Sequence, residues 1–268
     1  MKAGFLQFDP VLGDVAGNIA QVDALLDDAT ADAPDLLVLP ELALTGYLLK
    51  DRAQVMELAD TRDRGAQVEA LQRWAQSTGS VIVAGFPERE GNRVFNASIL
   101  VTPEGDRHVY RKAHLFLNEK DLFDPGDTPL EPVDVNGVRF GMMICFDWYF
   151  PETARVLALC GADVICHPSN LVLSHCPDAM RTRCLENRVF AVTANRCGRD
   201  VAPGGKELRF TGTSQITGPG GEILLRAGEE ESVLGVVSID PAAARDKWIT
   251  PRNSMTEDRR ADLYGPLV

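Results

Sequence analysis

The sequence predicts one α+β domain made of two strand-rich sheets, each covered on its outer face by helices. Three observations predict it. Short apolar runs bounded by turn residues alternate with segments whose apolar residues recur at helical spacing. The second half of the chain repeats the plan of the first. No sequence repeat, low-complexity tract or linker-like stretch separates the halves, and 268 residues can bury one substantial core.

Taken in order, Lys2–Phe8 and Leu36–Leu39 read as buried strands. Between them, residues 18–29 place Ile19, Val22, Leu25 and Leu26 on one helical face. Residues 67–76 do the same with Val68, Leu71 and Trp74, and Gly79 is suited to end that helix. Val81–Gly85 is the next strand. Residues 96–101 and 107–110 flank Pro103-Glu104-Gly105-Asp106, a hairpin turn. Residues 138–144 form a strand leading into Cys145, 152–160 a helix capped by Gly161, and 162–166 a strand. A helix over 178–188 and a strand over 189–195 follow. Residues 215–217 and 222–226 flank Gly218-Pro219-Gly220-Gly221, and 233–239 close the sheet. The main domain therefore spans 1–240. The charged tail, 241–268, carries Trp248, Ile249, Leu263 and Tyr264 and is expected to wrap the body or reach a partner subunit.

Composition narrows the function. Apolar residues make up 45% and charged residues 25%, as in an ordinary globular protein rather than a disordered one. The net charge of −12 leaves no concentrated basic surface for nucleic acid or an anionic membrane. The start, broken by Asp9-Pro10, does not resemble a secretory signal, and no apolar run is long enough to span a membrane. A soluble, cytoplasmic protein is the expectation. The six cysteines include no Cys-x-x-Cys pair, so a zinc ribbon or thioredoxin-like motif is unsupported. Cys160, closing a helix, and Cys166, within a strand, are expected to be small apolar fillers.

Three segments carry chemistry. In Leu37-Val38-Leu39-Pro40-Glu41-Leu42 a carboxylate follows a strand end, where side chains face a crevice. Alone it is an ordinary loop glutamate; partly buried, it becomes a general base of raised pKa. In Tyr110-Arg111-Lys112-Ala113-His114-Leu115-Phe116 a lysine leaves a strand for an apolar loop, either as a solvated cation or as a partner for an oxyanion. Glu119 follows closely, and by itself reads as a surface carboxylate. In Met143-Ile144-Cys145-Phe146-Asp147-Trp148 a cysteine sits between a strand and a helix, either buried as one more core thiol or exposed and activated. Together the three suffice for acyl transfer: Glu41 takes the thiol proton, Cys145 attacks a carbonyl, and Lys112 with the Phe146 amide stabilises the developing charge.

These segments, in this order, resemble the three signature regions of the nitrilase, or carbon–nitrogen hydrolase, superfamily, with similarity from Met1 to about Ile239. The resemblance implies a four-layer α-β-β-α sandwich that pairs through helices into an eight-layered homodimer, often extended further. It also implies neither metal nor organic cofactor. Glu119 matches a second family glutamate that positions the lysine, and Arg183, Glu186 and Asn187 match a stretch supporting the site and the dimer face. Within the superfamily, the chain is similar to small archaeal and bacterial enzymes called nitrilases and amidases. True nitrilases usually carry Trp-Glu after the nucleophile, whereas Phe146-Asp147 stands here. That departure favours a small amide over a nitrile, with N-carbamoyl amides as a further alternative. Tyr47, Phe146, Trp148, Tyr149, Asn170 and Leu171 are candidate substrate contacts, with core packing or loop support as their plain alternatives.

Other readings remain at this level. A papain-like enzyme would use His114, His167 or His175 as the base. A binding or scaffold protein would keep the fold without turnover. A glutaminase domain would need a synthetase, and an acyltransferase would pass the acyl group to another nucleophile.

Overall fold

The computed structural model describes residues 1–27, 33–202 and 204–267. The first half comprises β1 (Lys2–Gln7), α1 (Val15–Asp27), β2 (Leu36–Val38), α2 (Arg52–Leu58), α3 (Ala66–Thr78), β3 (Val81–Glu90), β4 (Arg93–Val101) and β5 (Arg107–Arg111). The second adds α4 (Glu119–Leu122), β6 (Val133–Val135), β7 (Val138–Met142), α5 (Pro151–Leu159), β8 (Val164–Ser169), α6 (Cys176–Asn187) and β9 (Phe190–Asn195). After the ribbon β10 (Arg199–Val201) and β11 (Glu207–Arg209) come β12 (Gln215–Thr217), β13 (Ile223–Arg226) and β14 (Val233–Ser238). Of the helix expected over 18–29, Asp28 and Ala29 lie outside the described residues.

Two six-stranded sheets result, ordered β14-β1-β2-β3-β4-β5 and β13-β12-β9-β8-β7-β6. Each has a parallel centre, β1-β2-β3 or β7-β8-β9, with antiparallel strands on both flanks. Parallel neighbours need crossovers, and the helices supply them: α1, α2 and α3 in the first half, α5 and α6 in the second.

Strand alternation builds the layers. Leu36 and Val38 of β2 and Val81 and Val83 of β3 join the core shared with the second sheet. Leu37, Ile82 and Ala84 point the other way, into a core with Val22 of α1 and Val68, Leu71 and Trp74 of α3. On the second sheet, Ile165 and Ala191 share a core with Ala154 and Leu157 of α5 and Met180 and Cys184 of α6. Four layers follow, in the order α-β-β-α, as the resemblance implies.

Local chemistry sets the helix ends. Gly79 ends α3 with φ 69°, a left-handed conformation that costs glycine little. Pro151 opens α5 at its first turn, where a missing N–H is harmless. One expectation fails at the end of that helix. Cys166 is buried, but Cys160 is exposed, because the chain leaves α5 there through Gly161 (φ 89°) and turns the thiol outward.

Candidate active site

Strand ends gather the candidate residues. Glu41 follows β2, Lys112 follows β5, Cys145 follows β7 and Asn170 follows β8. The Glu41 turn lies flat on β3: Leu39 N donates to Val83 O (2.8 Å), Gly85 N to Pro40 O (3.0 Å) and Ala43 N to Gly85 O (2.9 Å). A Cβ on Gly85 would stand 2.4 Å from the Glu41 Cα, so only glycine permits this approach. From the other sheet, Asn170 Nδ2 donates to Glu41 O (2.8 Å) and ties the two layers together at the site.

Lys112, fully buried, is the hub. Its Nζ donates to Glu41 Oε1 (2.6 Å) and to Glu119 Oε1 (2.9 Å), with Glu119 Oε2 at 2.8 Å. Asn96 on β4 donates from Nδ2 to Glu41 Oε1 (2.7 Å). Glu119 opens α4, where Tyr47 Oη donates to its Oε1 (2.6 Å) and the Phe116 amide to its Oε2 (3.2 Å). Tyr47 therefore stands against Glu119. Glu41 Oε2 is buried with no hydrogen-bond partner among the described residues.

The electrostatics follow from two carboxylates and one ammonium in a dry setting. Burial raises the Glu41 carboxyl above its ordinary range, opposed by Lys112 and reinforced by Glu119. Burial alone would lower the Lys112 ammonium, but the two glutamates overcome it and hold it charged. Cys145, buried, is pushed well above the usual thiol value by desolvation and by Glu41, with Lys112 and the Asn170 amide opposing. Both effects favour the thiol over the thiolate. Glu41, Lys112 and Glu119 all lie within electrostatic reach of it.

Cys145 opens a 3-10 turn, Cys145–Tyr149, with φ 39°, an uncommon conformation for a residue with a Cβ. Asp147, fully buried, holds that turn. Its Oδ2 accepts from Ile144 N (2.9 Å) and Tyr110 Oη (2.8 Å), and its Oδ1 from His114 N (3.1 Å), with His114 Nδ1 at 2.7 Å. One carboxylate thus clasps the cysteine turn to the lysine loop. The His114 ring also stacks on Phe150 at 3.7 Å.

His167 lies beneath the turn, fully buried, with Nε2 3.0 Å from Cys145 O and Nδ1 3.1 Å from Thr193 Oγ1. A carbonyl can only accept, so Nε2 carries the hydrogen. Burial drives this ring down to about 4, keeping it neutral. His175 precedes α6, away from these contacts. Arg183 pairs with Glu186 (2.9 Å) and donates through Nε to Trp148 O (3.2 Å), bracing the far end of the turn, while Asn187 Nδ2 donates to Arg183 O (2.8 Å).

The cysteine opens to a narrow cleft of about 30 Å3 that Phe116, Phe146, Trp148, Tyr149, Asn170 and Leu171 help to line. Sequence reasoning missed Asn96 and the Tyr110–Asp147–His114 clasp. The signal available for Asn96 was an amide within a largely apolar strand; for the clasp there was only the presence of Asp147 two residues after the cysteine.

This fold, with a cysteine, a lysine and a carboxylate at its strand ends and a second carboxylate opening α4, defines a class of hydrolases acting on non-peptide carbon–nitrogen bonds. The chain belongs to the carbon–nitrogen hydrolase family, whose model matches residues 2–247. It is similar to a nitrilase of Pyrococcus abyssi (strain GE5 / Orsay), 41% identical over 264 residues that cover 98% of this chain and 99% of the relative. A carbon–nitrogen hydrolase from Helicobacter pylori G27 superposes with a TM-score of 0.89 at 26% identity, covering 100% of this chain and 98% of that one. The E41Q mutant of the amidase from Nesterenkonia sp. AN1, at a TM-score of 0.82, 26% identity and 100% coverage of both chains, shows the Michael addition of acrylamide at its active-site cysteine. No helix among the described residues is long and apolar enough to cross a membrane.

Proposed function

We propose that the chain is an amidase that hydrolyses a small carboxamide to the acid and ammonia through a thioester on Cys145. One observation carries the reading: Lys112 and Asn96 anchor one oxygen of Glu41, and the other oxygen is left without a partner near a protonated thiol. A carboxylate so held keeps one whole oxygen free to take a proton, and its raised pKa suits a general base.

Glu41 takes the thiol proton as the sulfur attacks the carbonyl carbon and the C=O π pair moves to oxygen. Lys112 and the Phe146 amide stabilise that oxyanion. The C–N bond then breaks as Glu41 returns the proton to nitrogen, and ammonia leaves. Water, deprotonated by the same carboxylate, attacks the thioester; the C–S bond breaks and the thiol regains its proton. Glu119 keeps Lys112 oriented throughout, and Tyr47 fixes Glu119. Trp148 and Asn170 complete the substrate cleft with Phe146.

His167 is a poor rival as base, since its Nε2 hydrogen is committed to Cys145 O and its ring resists protonation. A nitrile is the second reading, favoured by the name of the Pyrococcus abyssi relative. The decisive experiment measures ammonia release from parallel amides, N-carbamoyl compounds and nitriles by the parent and by Cys145→Ala. Turnover in the parent and none in the variant is expected; undiminished activity of Cys145→Ala overturns the assignment.

Val156 and Leu159 of α5 and Leu185 of α6 are exposed on the outer helical layer, which supports pairing of two copies there. The tail from 241 lies beside that layer, with Lys247 Nζ donating to Asn187 O and Arg188 O (both 2.9 Å), which supports a tail that completes the pairing face. Sedimentation at micromolar concentration tests it, and a monomer there overturns it.

A further inference from the structure

The cleft above Cys145 presents no Asp, Glu, Lys, Arg or His side chain among its described lining residues. Its walls are Phe116, Phe146, Trp148, Tyr149, Leu171 and Leu173, with Asn170 as the polar member beside the sulfur. The rings form a continuous cluster: Phe146 lies 5.0 Å from Phe116 and 5.6 Å from Tyr149, and Trp148 lies 5.0 Å from Tyr149, centre to centre. At the mouth, Tyr149 is 58% and Leu173 51% exposed, apolar surface of a kind usually placed where something apolar docks.

Room inside the cleft is scarce, about 30 Å3. That admits the reacting group itself, so the rest of a substrate must lie along the mouth. A charged group pressed against those walls would lose part of its water and find no ionic partner among the described lining residues. Beyond Val172 a larger, charged groove begins, but its cations already have partners: Arg199 with Glu207 (3.4 Å), Arg226 with Asp178 (3.9 Å), and Arg209 with Glu230. A substrate carboxylate entering that groove would meet cations whose charge acidic neighbours already offset.

We infer that the substrate is a primary amide whose acyl group is uncharged and apolar, alkyl or aryl, held at the cleft mouth by Tyr149 and Leu173. This rests on the amidase reading above and adds the chemistry of the acyl group. Amides carrying a carboxylate or an amine, and carbamoyl derivatives of amino acids, are then poor substrates.

The test uses the purified full chain and ammonia release from acetamide, butanamide and hexanamide, with succinamate and 4-aminobutanamide as charged counterparts. Each added methylene buried at the mouth should raise kcat/KM by about threefold to fourfold. The charged amides should fall at least tenfold below butanamide. Leu173→Ser should lower kcat/KM for hexanamide about tenfold more than for acetamide, through KM more than kcat, which a mere loss of folded protein would not do. A flat chain-length series, or faster turnover of succinamate or 4-aminobutanamide, overturns this inference while leaving the amidase reading intact. No ammonia from any amide, together with no acyl adduct on Cys145 by mass spectrometry, overturns both.

Discussion

Replacing Glu41 by glutamine separates the two tasks of this side chain. The amide oxygen can keep the contacts with Lys112 (2.6 Å) and Asn96 (2.7 Å), so the site should stay assembled. At the other position, where the carboxylate has a free oxygen, the variant puts an NH2 group that cannot accept a proton. A positioned general base contributes about 10²- to 10⁴-fold, so kcat should fall by roughly 10³, or about 4 kcal/mol of barrier. The thiol should move the other way. In the parent, ionising Cys145 adds a negative charge to a site whose two carboxylates outnumber its one ammonium. In Glu41→Gln the carboxylate and ammonium that remain cancel, and the second-largest cause of the raised thiol pKa is gone. Alkylation by iodoacetamide, followed against pH, should therefore show a lower thiol midpoint in the variant even as ammonia release collapses. A kcat within tenfold of the parent would remove Glu41 from the chemistry. An unchanged or higher thiol midpoint would refute the charge reasoning.

Three other outcomes follow from the geometry. Asp147→Ala leaves the Ile144 and His114 amides and the Tyr110 hydroxyl without their acceptor, at about 1–3 kcal/mol each, so urea midpoints should drop and activity with them; stability equal to the parent would contradict the clasp. His167 titrates at about 4 in the fold against 6.5 ordinarily, so the unfolded chain binds more protons between those values and stability is lost as pH falls from 6.5 to 4. The loss is about 3 kcal/mol; denaturant melts of the parent and His167→Gln across that window should diverge, and parallel curves would disprove it. Gly85→Ala pushes a Cβ against the Glu41 backbone and should cut kcat/KM at least tenfold, measured as ammonia release, with the fold retained by circular dichroism; full activity would mean the turn has slack.

Much of this was legible in the sequence because periodicity reports burial. The spacing of Val68, Leu71 and Trp74 predicts a helix over 67–76, found as α3, and the runs at 81–85 and 96–101 predict strands found as parts of β3 and β4. The same signal fails where local chemistry and tertiary pairing disagree. The expected strand stops at Gly85, yet β3 continues through Pro87 to Glu90, because β4 pairs with it residue for residue as far as Arg93. Helix α2 carries one buried residue, Val55, too few to make a period, and depends on Asp51 accepting from Gln54 N (2.9 Å) at its start. At the site, the motifs mark Glu41, Lys112 and Cys145 because each follows a strand. Asn96 and Asp147 could be recognised only once the chain had brought distant segments together, since hydrogen bonding across 55 and 37 positions leaves no local pattern.

The Asp147 carboxylate has a consequence for how such a scaffold can diversify. It accepts from the turn bearing the sulfur and from the loop bearing the ammonium, so the spacing of the two is set by a fully buried strut. Tyr149 and Leu173, by contrast, stand at the rim with their outer faces in solvent. Replacements there can retune which molecules enter without disturbing the strut, and the part of the enzyme free to drift is the doorway.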